Sequence, residues 1–185
     1  MMIKNFKVVL VGDGGVGKTS LVRRILNKKI TCDYPVTIGV DIHSHLLKGD
    51  DQNSKIRWII CDFSGQITFN KIISQFSSGA NIVFLVFDIT RKNTLYNIYS
   101  WVNEIKERVS KDAIFILVGN KTDLRGSTET VSKEEAENVA KALSEILERP
   151  VVYIEVSALT GENVPELINY VLKKLFSSKL AKFSG

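Results

Sequence analysis

The chain lacks what would make it secreted, membrane-spanning or disordered. It has two cysteines in 185 residues, Cys32 and Cys61. That is too few for a disulfide scaffold and points to a reducing compartment, with no bridge expected between them. Three prolines and no Ser/Gly-rich tract leave no linker, and there is no internal repeat. The longest apolar runs, 82–87 and 114–118, are the size of strands and cannot span a bilayer. The N-terminus has no apolar segment ahead of a small-residue cleavage site, so a cytoplasmic protein is expected. The two histidines, His43 and His45, share one face of a predicted strand with no third ligand at useful spacing, so a solvated strand face is expected rather than a metal site.

What remains is the composition of one globular domain, 44% apolar and 24% charged, long enough to bury a core on both sides of a sheet. The formal charge is +5 and the isoelectric point about 9.1. The lysines and arginines are scattered along the chain, which argues for a solvated basic surface and against nucleic-acid binding.

The most informative segment is an apolar strand, 6–11, running into Gly12-Asp13-Gly14-Gly15-Val16-Gly17-Lys18-Thr19. This octet fits G-x-x-x-x-G-K-S/T, a phosphate-cradling loop. Its glycines let backbone N–H groups approach phosphate oxygens, Lys18 supplies charge for the terminal phosphates, and the Thr19 hydroxyl is placed to ligate Mg²⁺. The helix that follows offers its N-terminal dipole to the same anion. Asp13, Gly14, Gly15, Val16, Gly17, Lys18, Thr19 and Ser20 form the expected phosphate site.

Strands and helices alternate along the chain. Strands are predicted at 5–11, 40–48, 55–62, 82–88, 114–119 and 151–156, and helices at 18–27, 69–77, 94–110, 132–147 and 164–176. The polar run 50–54 joins two adjacent strands as a hairpin, and Ser132 with Glu135 forms a capping box. One hairpin within a βαβα series predicts a six-stranded α/β sheet, mostly parallel with one antiparallel strand and helices on both faces. Ligands of such sheets sit beyond the carboxyl ends of the strands, where the remaining motifs fall. Trp58 and Trp101 are expected in packing positions, and Glu134, Glu135 and Glu137 as partners of a helix dipole.

Asp62, closing the third strand, stands where a carboxylate would hold Mg²⁺. Gly65 can bring a backbone N–H against a γ-phosphate, and Gln66 is placed to orient an attacking water. After the fifth strand, Asn120-Lys121-Thr122-Asp123 offers a carboxylate to guanine N1–H and its 2-amino group. Adenine has neither donor and would leave that acid unpaired, so GTP and GDP are favoured over ATP. Asn120 can tie this loop to the phosphate loop, and the Lys121 stem can cover the base, with Leu124 alongside. Ser157, Ala158 and Leu159 end the sixth strand; a backbone N–H there could meet guanine O6, and Ser157 could brace Asp123.

These four motifs, in this order, resemble the signature of the Ras superfamily of small GTPases over nearly the whole chain, with a P-loop G domain at 1–177 and a short tail at 178–185. The segment 34–42 looks like the T-I-G-V-D-F of the Rab branch, 76–80 its Y-Y-R-G-A, and 87–90 its Y-D-I-T. The resemblance implies that Thr37 joins Thr19 and Asp62 on Mg²⁺ in the GTP state only. It also implies two switch segments, 29–42 and 62–78, read by effector, exchange-factor and activating proteins. A monomer is expected, and slow hydrolysis: Arg23 and Arg24 lie on the helix behind the P-loop, so no internal arginine is expected at the phosphates. Two other readings stay open: a nucleotide-held interaction module that scarcely hydrolyses, and a P-loop enzyme acting on another substrate.

The sequence also departs from its relatives. Switch II reads D-F-S-G-Q-I-T-F where D-T-A-G-Q-E-R-F is usual, so Ile67 and Thr68 remove an acid–base pair from a partner-facing loop. Ile30 replaces an aromatic at the guanine face, which implies faster nucleotide release, and Cys61 replaces a tryptophan. No cysteine follows Cys61, so the chain as given has no prenylation acceptor; Lys173, Lys174, Lys179 and Lys182 offer at most weak peripheral contact with anionic lipid.

Overall fold

The computed structural model describes residues 2–28, 39–48, 54–63 and 70–182. Six strands form one sheet: β1 (Met2–Val11), β2 (Val40–Lys48), β3 (Ser54–Phe63), β4 (Ile82–Asp88), β5 (Ile114–Asn120) and β6 (Val151–Val156). Their order is β2-β3-β1-β4-β5-β6. β2 pairs antiparallel with β3 and every other pairing is parallel. The mixed sheet expected from the sequence is therefore present. Consecutive parallel strands need helical crossovers, which places helices on both faces.

The helices are α1 (Lys18–Ile25), α2 (Asn70–Ser77), α3 (Lys92–Tyr96), α4 (Ile98–Ile105), α5 (Lys133–Leu147) and α6 (Val164–Lys182). Apolar side chains of α2 to α5 close one face of the sheet, with Ile73, Leu95, Trp101, Val102 and Leu143 in its core. Those of α1 and α6 close the other, through Leu21, Val22, Ile25, Leu167 and Val171. β4 is buried along its whole length, as a central parallel strand covered on both faces must be. Ser132 Oγ accepts the Glu135 N–H at 3.1 Å, so half of the expected capping box opens α5; the Glu135 carboxylate turns instead to Tyr96 and Lys92.

Several boundaries differ from expectation. The helix predicted over 94–110 is two, α3 and α4, meeting at Asn97. The Asn97 carbonyl accepts from both Ser100 and Trp101, a tightened turn, while its side chain is held outside the helix by Asp13. α4 stops at Ile105 because the Arg108 carbonyl turns to Gly79 and the Ser110 amide to Ala80. α6 runs past the expected end at 176 to Lys182. His43 and His45 are half-buried rather than solvated, because they pair in register with the core residues Ile60 and Trp58. Burial lowers the His45 pKa.

Strand register brings the chemistry to one edge. Leu10 lies level with Asp62, Asp88 with Asn120, and Asn120 with Val156. β1 sits between β3 and β4, the place where the chain's path across the sheet reverses, so the loop after β1 opens into the crevice.

Phe84 is wholly buried in β4, edge-on to Trp58 with centroids 6.3 Å apart. Phe84→Ala should cost about 3–5 kcal/mol of stability in urea unfolding. A loss below about 1 kcal/mol would mean that this core face collapses around the deletion.

Candidate functional site

The loop after β1 is shaped by what lies behind it. A Cβ on Gly12 would stand 2.0 Å from the Val86 carbonyl oxygen. Gly17 has φ 97, and a Cβ there would stand 2.2 Å from Asn120 Nδ2. Neither position admits a side chain. The loop closes on Lys18, whose ammonium donates to the carbonyls of Gly12 at 2.7 Å and Asp13 at 2.9 Å. Burial lowers its pKa to about 8, against the pull of Asp62 and Asp13; Arg91 pushes in the same direction as burial. An anion brought beside Lys18 would reverse that shift. The Asp13 side chain turns away from the cradle, accepting from Trp101 Nε1 at 2.8 Å and Asn97 Nδ2 at 2.7 Å. Trp101 thus packs, as expected, and also anchors the loop.

Asp62, at the end of β3, is fully buried. Neither carboxylate oxygen has a partner in hydrogen-bonding geometry. Burial raises its pKa, opposed by the nearby Thr19 hydroxyl and Lys18. An orphaned buried carboxylate beside a hydroxyl is costly alone and fits a small hard cation. Asp62 and Thr19 are thus a fitting donor pair for Mg²⁺.

Asp88, closing β4, is 1% exposed and carries four hydrogen bonds on its carboxylate. The Thr90 amide and hydroxyl donate to Oδ1 at 2.9 and 2.7 Å. Lys121 Nζ at 2.6 Å and Arg91 Nε at 3.0 Å share Oδ2. Burial alone would raise its pKa, but the hydrogen bonds from Lys121 and Thr90 outweigh it and hold the acid below its ordinary range. Arg91 extends further, donating through Nη2 to the Gly14 carbonyl at 3.0 Å. The sequence reading missed Asp88 and Arg91; a lone acid closing an all-apolar strand was the available signal.

At the end of β5, Asn120 is a two-sided tie. Its Nδ2 donates to the Val16 carbonyl at 2.8 Å, and its Oδ1 accepts the Ala158 N–H at 2.9 Å. One side chain therefore joins three loops. Ser157 donates to Asp123 Oδ1 at 2.6 Å, the expected brace. With the Ala158 amide taken by Asn120, the Leu159 amide is left without an acceptor among the described residues. Leu124 is exposed in the 3₁₀ turn Thr122–Leu124, and Ser20 is half-buried on α1. Arg24 does face away from the P-loop, but it is not idle. It donates to the carbonyls of Ala158, at 2.9 Å, and Leu159, so α1 holds the third loop.

Ile30, Cys32, Thr37, Gly65, Gln66, Ile67 and Thr68 lie outside the described residues. Among the described residues no cluster of three metal-ligating side chains occurs, and no helix is long and apolar enough to cross a membrane.

A phosphate-cradling loop, an unpaired buried acid and a laced set of loops, all at the switch point of this sheet, define a P-loop nucleotide-binding protein. The Ras family model matches residues 7–177, and the chain belongs to that family. It is a small GTPase switch in the general sense, of a family that binds guanine nucleotide with Mg²⁺.

Asp88→Asn keeps the shape and removes the charge from two cations, so at neutral pH it should cost about 2–3 kcal/mol. The folded-state pKa is depressed, so this stability is present above the ordinary value of 3.8 and is lost as pH falls through the folded-state pKa. Denaturation midpoints of parent and variant should therefore converge in acid, and a gap independent of pH would contradict the assignment.

Proposed function

We propose that the protein switches between GDP and GTP states with Mg²⁺, hydrolyses GTP slowly to GDP and phosphate, and stands nearest the Rab branch, in a trafficking or signalling role. The observation that carries this reading is the Asn120 tie, which fixes phosphate loop and base loops in one frame. Lys18 supplies charge to the terminal phosphates. The Asp123 carboxylate, oriented by Ser157, takes guanine N1–H and the 2-amino group, and the Lys121 stem lies along the base. The Leu159 amide is the donor open to guanine O6. Thr19, Thr37 and Asp62 would hold Mg²⁺, which neutralises charge gathering on phosphate oxygens. Gln66 orients the water, and the Gly65 amide senses the γ-phosphate. The Rab-like segments 34–42, 76–80 and 87–90 support the branch. Effectors, exchange factors and activating proteins would read 29–42 and 62–78.

One sequence observation favours a second reading, an interaction module that holds GTP. Switch II departs from its relatives at Phe63, Ser64, Ile67 and Thr68. Single-turnover hydrolysis of preloaded GTP, with Mg²⁺, separates the two. The parent should turn over slowly but measurably, and Gln66→Leu should lose at least tenfold, roughly the range of a positioned catalytic group, without weaker nucleotide binding. Equal rates would remove Gln66 from the mechanism, and stable GTP in both proteins would favour the interaction module.

A further inference from the structure

Arg91 precedes α3 and is the one arginine whose side chain reaches the P-loop among the described residues. Its backbone is fixed: the N–H donates to the Asp88 carbonyl at 2.9 Å, and its carbonyl accepts the Thr94 amide at 2.9 Å and hydroxyl at 2.7 Å. Its side chain is fixed at two further points, Nε on Asp88 and Nη2 on the Gly14 carbonyl, both at 3.0 Å. Nη2 also stands 3.6 Å from where a Cβ on Gly15 would be. An arginine held at one point only would keep much of its rotamer freedom. This one has spread its guanidinium between a buried acid and a single peptide of the phosphate loop.

The consequence follows from peptide geometry. No peptide bond among the described residues is cis, so the Gly14 carbonyl and the Gly15 N–H point in opposite directions from one plane. Holding the carbonyl toward α3 aims the Gly15 N–H the other way, and that N–H has no acceptor among the described residues. A charged donor on the carbonyl also polarises the peptide and strengthens its N–H as a donor. Lysine could not reproduce this, because a single ammonium lacks the separate edges that reach Asp88 and Gly14 together.

We propose that Arg91 is a positioning residue for nucleotide binding, which aims and polarises the Gly14–Gly15 peptide so that the Gly15 N–H meets a phosphate oxygen. This rests on the guanine-nucleotide reading above. Because Arg91 and Lys121 share Asp88 Oδ2, the grip on phosphate is joined to the grip on the base.

The test uses the full chain loaded with a fluorescent GDP. Arg91→Ala should release it roughly 3–10-fold faster, the span for a charged hydrogen bond that is partly solvent-screened. Arg91→Lys should recover little of that loss. In ¹H–¹⁵N spectra of the GDP form, the Gly15 amide proton should move upfield in Arg91→Ala. Guanidinium chloride, far below unfolding concentrations, should slow release from Arg91→Ala but not from the parent, and sodium chloride of equal ionic strength should not. Unchanged release overturns the proposal. So does faster release with an unmoved Gly15 resonance and no guanidinium rescue, which marks a merely structural arginine. A parent chain that holds no guanine nucleotide overturns both this proposal and the reading beneath it, whereas a parent that holds it beside an unchanged variant overturns only this one.

Discussion

A buried carboxylate at the end of a central strand must find positive charge or remain protonated, and Asp88 finds two cations from opposite directions. Lys121 arrives from the loop after β5 and Arg91 from the start of α3, and both settle on Oδ2. The energetic weight lies in leaving either cation or the acid unpaired, more than in the pair itself. The position of Asp88 is in turn fixed by β4, buried along its length between β1 and β5. The core therefore decides where the acid stands, and the acid decides where two functional loops can lie.

The other ties repeat this logic with neutral groups. Asn120 joins Val16 to Ala158, and Gly17 has no side chain because Asn120 occupies that space. Arg24 holds two carbonyls of the same third loop from α1. Within this frame, Lys18 and Asp62 stand out as a buried base and a buried acid. Burial weakens the charged form of each, lowering one pKa and raising the other. Phosphate beside Lys18 and a divalent cation beside Asp62 would reverse both shifts.

Much of this was legible in the sequence because it is local. The phosphate loop requires glycines at fixed spacing beside a strand and a helix, and alternating apolar segments with one polar turn gave the sheet with its single antiparallel strand. Asn120 and Ser157 were legible because their partners belong to motifs of their own. Arg91 was not, since its partner Gly14 is 77 residues away and no spacing rule connects them. The break at Asn97 was hidden too: helical periodicity runs through it, and the Asn97 side chain is held by Asp13, 84 residues earlier. Arg24 was given the right direction but no role, because a carbonyl acceptor has no signature in sequence. Half-buried histidines on β2 were unforeseen because strand alternation does not say which face the core takes.

The proposed joining of phosphate and base loops through one acid can be tested directly in the amide spectrum of the GDP-bound Asp88→Asn protein. If Asp88 is the junction, the Gly15 resonance on the phosphate side and the Lys121 and Asp123 resonances on the base side should all move, while amides of α6 stay in place. A spectrum in which the base loop shifts and Gly15 does not would contradict it, leaving two independently supported loops.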